Sequence, residues 1–186
     1  MGKKQSKPKQ GAAPTSVNIR VLLLGDPNIG KTSLLNKFVN GTYTDEKPAN
    51  PDAAMKKAIT VGKTTVNYEI VDVPEIDENM TSSAFTGVKV CIGLFDLTNP
   101  ETKDNVRNVL GMATRFVTDD KFIKCICGLK ADDEGNIKIS DADIEEMLRN
   151  FNADKSFKVS SKEGRGIEEM FNEIGQMYIN SLQPAK

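Results

Sequence analysis

The stretch that most constrains this chain runs from Ile19 to Phe38, IRVLLLGDPNIGKTSLLNKF. Ile19, Val21, Leu22, Leu23 and Leu24 form an almost unbroken apolar run, as a strand buried on both sheet faces requires. Gly25-Asp26-Pro27-Asn28-Ile29-Gly30-Lys31-Thr32 then matches G-x-x-x-x-G-K-[ST], and from Thr32 onward Leu34, Leu35 and Phe38 share one helical face. A strand, a glycine-cornered loop and a helix start together make an anion site, because backbone N–H groups and the positive helix end point at one phosphate group. Gly25 and Gly30 let the backbone turn tightly and approach the oxygens, with Asn28, Ile29 and Ser33 in the same cradle. Lys31 supplies a point charge, and the Thr32 hydroxyl can ligate Mg2+. Lys31 is also the best candidate for stabilising charge on a phosphoryl group; no other catalytic residue is identifiable.

Composition narrows the chemistry. At 186 residues the chain fits one domain with a proper core. Its net charge is −1, but Lys3, Lys4, Lys7 and Lys9 fall in residues 1–16, which carry no acid, so the remainder is net acidic. No basic face for nucleic acid is signalled, and no nucleic-acid partner is expected. There is no histidine, which excludes Ser-His triads and His-ligated metals. Three cysteines, an odd count, point to a reducing compartment; Cys91, Cys125 and Cys127 lie in apolar runs and read as core thiols rather than zinc ligands.

After the first helix, residues 40–55 (NGTYTDEKPANPDAAM) read as a long polar loop. Lys56–Val61 and Thr65–Val73, joined across Gly62-Lys63, form a predicted β-hairpin whose second strand brings Asp72 to its end, where an acid can hold Mg2+ beside a P-loop. Residues 74–87 are a second irregular loop. Strands at Val88–Leu97, Phe122–Leu129 and Ser156–Ser160 then alternate with helices. The first is opened by Pro100 and striped by Val106, Val109, Leu110, Ala113, Phe116 and Val117; the second is capped by Ser140; the last is striped by Ile167, Met170, Phe171, Ile174, Met177 and Tyr178. This alternation predicts an α/β fold, a mostly parallel six-stranded sheet with helices on both faces and ligands at the carboxyl ends of its strands.

The segments GDPNIGKTSLLNKF, Asp72 at a strand end, CIGLFDLTNPET, GLKADD and VSSKEG occur in order at spacings that resemble the Ras-like small GTPases, the Rab and Ras branches more than Arf. The resemblance runs from about residue 17 to the C-terminus. It implies a P-loop NTPase G domain over residues 17–182, with GTP or GDP and Mg2+ as cofactors. It places Gly30, Lys31 and Thr32 on the β- and γ-phosphates and Mg2+, and Thr32 and Asp72 on the metal. The family's N-K-x-D appears as Leu129-Lys130-Ala131-Asp132. Asp132 would accept hydrogen bonds from N1–H and the exocyclic amine of guanine, a pattern adenine lacks, and the Lys130 stem would stack on the base. Ser160-Ser161-Lys162 matches S-A-K, whose backbone N–H groups face the guanine carbonyl.

Five departures bear on turnover and affinity. Leu129 replaces the asparagine that ties the base loop to the P-loop. Asp72-Val73-Pro74-Glu75 stands for D-x-x-G, putting a carboxylate near a γ-phosphate, and Ile76 stands where the family carries its water-orienting glutamine. Asn50 falls at the switch threonine, with Thr42 and Thr44 the nearest threonines, and Pro27 has no N–H to give. The N-terminal GTPase domain of the mitochondrial Miro proteins is similar in its G-x-P loop and missing D-x-x-G glycine; their EF-hands and membrane-spanning tail have no counterpart in this sequence, so their location is not implied.

Residues 1–16, MGKKQSKPKQGAAPTS, have a disordered composition, and Met1 to Ser6 fits M-G-x-x-x-[ST], the pattern for myristoylation of Gly2. One acyl chain holds a membrane only marginally, and the four lysines would supply a second signal; the plainer alternative is a solubilising tail. Residues 183–186 are a short tail, and no cysteine lies there for prenylation. The expectation is a cytoplasmic protein, peripheral on a cytoplasm-facing membrane, that meets effectors or regulators through residues 41–56 and 74–87. Two functions compete: a GTP/GDP switch with weak or absent intrinsic hydrolysis, and a non-hydrolysing scaffold that holds one nucleotide at a membrane.

Overall fold

The computed structural model describes residues 16–44, 54–73 and 82–183. Six strands, β1 (Ser16–Leu24), β2 (Met55–Val61), β3 (Thr64–Asp72), β4 (Val88–Asp96), β5 (Ile123–Leu129) and β6 (Lys155–Lys158), make one sheet in the order β2-β3-β1-β4-β5-β6. Only β2 and β3 pair antiparallel, as the predicted hairpin; the other four pairings are parallel. The four helices are α1 (Lys31–Asn40), α2 (Thr102–Phe116), α3 (Asp141–Asn150) and α4 (Ile167–Ser181). Among the described residues, no helix is long and apolar enough to cross a membrane.

The sheet divides the core in two because alternate strand residues face opposite sides. Val17, Ile19, Val21 and Leu23 of β1 join Leu34, Leu35 and Phe38 of α1 and Met170, Phe171 and Ile174 of α4. Leu22 and Leu24, one register step away, pack instead with Val106, Val109 and Leu110 of α2 and Ile144 and Met147 of α3. On the first side the rings of Phe38 and Phe171 stack at 3.7 Å, and the Tyr68 hydroxyl donates to the Phe171 carbonyl at 2.6 Å. Burying an aromatic side chain contributes roughly 1.5–3 kcal/mol, so Phe38 ties the first helix to the last at a useful energy. The helices lie on both faces, as the alternation predicts.

Boundaries moved where local bonds outcompete pattern. Pro100 does not open α2: Asn99, Pro100 and Glu101 accept i→i+3 bonds from Thr102, Lys103 and Asp104, a tight turn that precedes the first α-helical residue. At β6 the predicted strand reached Ser160, but Ser160 already accepts from Gly164 N–H at 2.8 Å and so belongs to a turn. The predicted α3 cap is present in full. Ser140 accepts from Asp143 N–H, and the Asp143 carboxylate accepts from Ser140 N–H, satisfying two helix-end donors reciprocally.

Every parallel strand ends on the same edge of the sheet. The turns after β1, β3, β4, β5 and β6 therefore gather there, together with the start of α1.

Candidate functional site

The turn after β1 is fixed by close packing. Gly25 adopts φ 151°, and a Cβ there would lie 2.5 Å from the Leu94 carbonyl oxygen, so only glycine fits. Asn28, at φ 62°, is one of the few non-glycine residue types that tolerates the left-handed region. Asp26 accepts from the Asn105 amide of α2 at 2.6 Å, which pins the loop to the opposite helix layer. Helix α1 begins after Gly30 with no side-chain cap and no acid in its first turn, so its N–H groups and dipole present positive potential to the loop. The buried Lys31 curls back across the loop, donating to the carbonyls of Gly25 at 2.9 Å and Asp26 at 2.8 Å.

Beside this loop, Thr32 and Asp72 meet. Asp72 is the last residue of β3, in register with Leu23 of β1, and its Oδ2 accepts from the Thr32 hydroxyl at 2.5 Å. Its other oxygen, Oδ1, is buried and takes no hydrogen bond. A buried acceptor left without a partner costs about 1–3 kcal/mol, so the site is short of one positive group. A hydroxyl and a carboxylate are hard oxygen donors of the kind Mg2+ prefers, the rest of its octahedron coming from phosphate and water. Among the described residues no cluster of three His, Cys, Asp or Glu could hold a metal with protein ligands alone. The three thiols are buried, and burial pushes Cys91, Cys125 and Cys127 up, which makes them inert core groups.

A cleft of about 390 Å3 opens over the loop. It is lined by Ile29, Gly30 and Ser33, by Leu129, Lys130, Asp132, Asp133, Ser161 and Lys162, and by Tyr43 of the chain that follows α1. The two acids differ: Asp133 accepts from the Asn136 amide at 2.8 Å, whereas Asp132 meets no donor among the described residues. Asp132 is thus the carboxylate left to read a ligand. Ser160 does not line the cleft. It is fully buried behind it, where its Oγ accepts from Glu163 N–H at 3.0 Å and its N–H donates to the Arg165 carbonyl at 3.0 Å. Leu129 is 1% exposed and lines the cleft together with Ile29 and Gly30 of the phosphate loop.

Lys130, also left-handed at φ 62°, sends its ammonium to Asp96 at the end of β4, 2.6 Å away. Burial pushes the Asp96 carboxyl up, but the bonds from Lys130 and Thr98 and the Lys130 charge outweigh it and hold it below the ordinary carboxylate range.

The structure therefore brings the predicted phosphate-loop residues, Thr32 with Asp72, and Lys130, Asp132, Ser161 and Lys162 to one edge, with Ser160 in support. Gly2, Asn50, Glu75 and Ile76 lie outside the described residues, as does most of 41–56 and 74–87. Thr44 anchors the chain after α1 through its carbonyl, which accepts from the Asn36 amide at 3.3 Å. Three residues went unread in the sequence. Tyr43 is 57% exposed; an aromatic in an otherwise polar loop was its only signal. Asp96 looked like one more residue of an apolar strand. Arg165, whose guanidinium donates to the Ala131 carbonyl at 2.9 Å, left no signal at all. Chemically, the edge can take a polyphosphate over α1, a divalent cation at Asp72 and a planar donor-bearing ring against Asp132.

The Ras family model matches residues 20–180. The chain is similar to the Ras-related protein Rab-7a of Paramecium octaurelia, 26% identical over 163 residues, spanning 84% of this chain and 79% of the relative. It is similar also to the Ypt/Rab-type GTPase YPT7 of Saccharomyces cerevisiae, 25% identical over 89% of this chain and 83% of the relative. The Ras-related protein RabJ of Dictyostelium discoideum is 28% identical over 88% of this chain and 64% of its own length.

Proposed function

This chain belongs to the Ras family, and on that premise we propose that it is a regulatory switch that holds GTP or GDP with Mg2+ and turns GTP over slowly or not at all unaided. The observation that carries this reading is the meeting, in one cleft, of Gly30 and Ser33 with the donor-free Asp132. The phosphates lie along residues 25–33, with Lys31 as their point charge. The Thr32 hydroxyl and the Asp72 carboxylate, whose Oδ1 is buried without a hydrogen-bond partner, would hold Mg2+. Asp132 accepts from N1–H and the exocyclic amine of guanine, while adenine would present an acceptor at the first of these positions. Lys130 lends its stem as a platform for the ring, Tyr43 also lines the cleft, and the 160–162 turn offers N–H groups to the base carbonyl. Bound Mg2+ would supply charge neutralisation between phosphate oxygens.

Slow turnover rests on the sequence at Glu75 and Ile76, where the family pattern has a glycine and a glutamine: a carboxylate would repel a third phosphate, and isoleucine has no group to orient water. The same residues, with Asn50, favour the second reading, a non-hydrolysing scaffold. The membrane arm of both readings rests on Gly2 and the lysines of residues 1–16, an anchor that places the G domain, residues 17–182, on a cytoplasm-facing membrane; residues 41–56 and 74–87 face effectors or regulators.

The deciding experiment is the nucleotide content of the purified protein followed by single-turnover hydrolysis of labelled GTP. GDP or GTP in the extract supports the reading; ATP or ADP in its place sinks the guanine assignment. A hydrolysis rate equal to that of Lys31→Ala leaves only the scaffold. Intact mass from a eukaryotic host, with Gly2→Ala as control, tests the acyl chain.

A further inference from the structure

Leucine at position 129 has no side-chain amide to tie the base loop to the phosphate loop, yet Lys130 is held firmly. Its backbone is left-handed at φ 62°, which turns the side chain back over the end of β4. There Asp96, 5% exposed, receives its ammonium at 2.6 Å. Asp96 is itself fixed from three directions. Its Oδ1 accepts from Thr98 N–H at 2.8 Å and from the Thr98 hydroxyl at 2.7 Å, and its own N–H donates to the Thr102 hydroxyl at 2.9 Å, at the start of α2. In the sheet Asp96 lies beside Leu129, the residue just before Lys130. A free lysine is a flexible stem with an entropy cost of up to about 2 kcal/mol to order. A lysine clamped at its tip has already lost that freedom, and Lys130 lines the same cleft as Asp132.

We propose that Asp96 is a positioning residue for nucleotide retention: by clamping the Lys130 ammonium it fixes the lysine stem as the platform for the base, in place of the absent asparagine tie. The proposal rests on the guanine-nucleotide reading of this cleft. Asp96 touches no ligand; it acts through Lys130. Because it sits at the junction of β4 with α2, it also couples the base wall to the helix whose Asn105 grips the phosphate loop through Asp26.

The test is the release rate of a fluorescent GDP analogue from full-length protein carrying Mg2+. Asp96→Asn keeps the shape and the Thr98 bonds but removes the charge that holds Lys130, and release should accelerate roughly tenfold, the scale of one charged hydrogen bond. In a Lys130→Met background the same Asp96→Asn change should alter release by less than about twofold, because its only route of action is gone. Release accelerated equally in both backgrounds overturns the proposal, since that is the signature of a merely structural aspartate. If Asp96→Asn does not fold, Thr98→Val, which removes one bond to Asp96 Oδ1, decides instead: about threefold faster release with Lys130 present supports it, and no change overturns it. Unaltered release from folded Asp96→Asn overturns this proposal alone, while wild-type protein that retains no guanine nucleotide overturns the cleft reading with it.

Discussion

On the base side of the cleft, Lys130, Asp132, Ser161 and Lys162 ride on turns that leave the carboxyl ends of β5 and β6, cross-tied by short bonds. Ala131 N–H donates to Val159 O at 3.1 Å, Val159 N–H donates to Gly128 O at 2.9 Å, and Lys130 is clamped to Asp96. The residues assigned to a third phosphate, Asn50, Glu75 and Ile76, lie outside the described residues. The departures from the family pattern follow the same division. One base-side residue is altered, Leu129, which is buried at the end of β5. On the other side the switch threonine, the glycine and the glutamine are all replaced. Retention and turnover are therefore expected to respond separately to substitution. A strand end shared with the core cannot be lost without unfolding; a loop residue can be replaced at little cost to stability.

The largest expected effect breaks the base side. Asp132→Asn exchanges one acceptor for a donor, which then faces the exocyclic amine of guanine. GDP affinity should fall about 1,000-fold, and xanthosine diphosphate, with an oxygen in place of the amine, should recover much of it. Isothermal titration with both nucleotides checks this; equal losses for both would mean that Asp132 does not read the base. Next comes the cation site between the two sides. Asp72→Asn removes the charge at the orphaned Oδ1 and should weaken Mg2+ about 10- to 100-fold. The readout is the chelator sensitivity of GDP release, pronounced in wild type and nearly absent in the variant.

A change confined to the third-phosphate side should leave affinity alone. Glu75→Gly with Ile76→Gln restores a close backbone approach and a water-orienting amide, and single-turnover hydrolysis should rise about tenfold with the GDP dissociation constant unchanged within about twofold. A parallel gain in affinity would dissolve the division between the two sides.

What the sequence made legible follows the same physics. The sheet was readable because β4, β5 and residues 21–24 of β1 are buried on both faces and give continuous apolar runs. The phosphate loop was readable because its glycines answer a local steric demand, at Gly25 a carbonyl 2.5 Å from where a Cβ would sit. Asp132 and the Ser160–Lys162 turn were found only through resemblance. Asp96 and Arg165 escaped both routes, because their roles exist only between segments distant in the chain: Lys130 with Asp96, 34 positions apart, and Arg165 with Ala131, also 34 apart. No periodicity or motif encodes a cross-loop bond between single residues. Tyr43 escaped for the opposite reason, since an exposed aromatic in a polar loop has no pattern to belong to.

The smallest effect tests how finely the base side is tied. Arg165 donates to the Ala131 carbonyl at 2.9 Å while its own carbonyl accepts from Ser160 N–H at 3.0 Å, so one residue bridges both base-side turns. Its ion pairs with Glu134 at 3.6 Å and Glu163 at 3.4 Å join half-exposed groups and contribute little. The bridge is therefore the carbonyl bond, a charged donor partly screened by water. Arg165→Ala should speed GDP release about threefold, well short of the effect at Asp96, which is buried. Arg165→Lys should recover only part of this, since a lysine lacks the planar fork that reaches the Ala131 carbonyl while spanning both glutamates. Salt distinguishes the two contributions. If raising ionic strength from about 0.1 to 1 M reproduces the Arg165→Ala rate in wild type, the ion pairs carry the bridge; if the difference between wild type and variant persists, the carbonyl bond does. The geometry predicts persistence, because a 2.9 Å bond to a neutral acceptor is short-ranged and the two longer ion pairs are the contacts that salt screens.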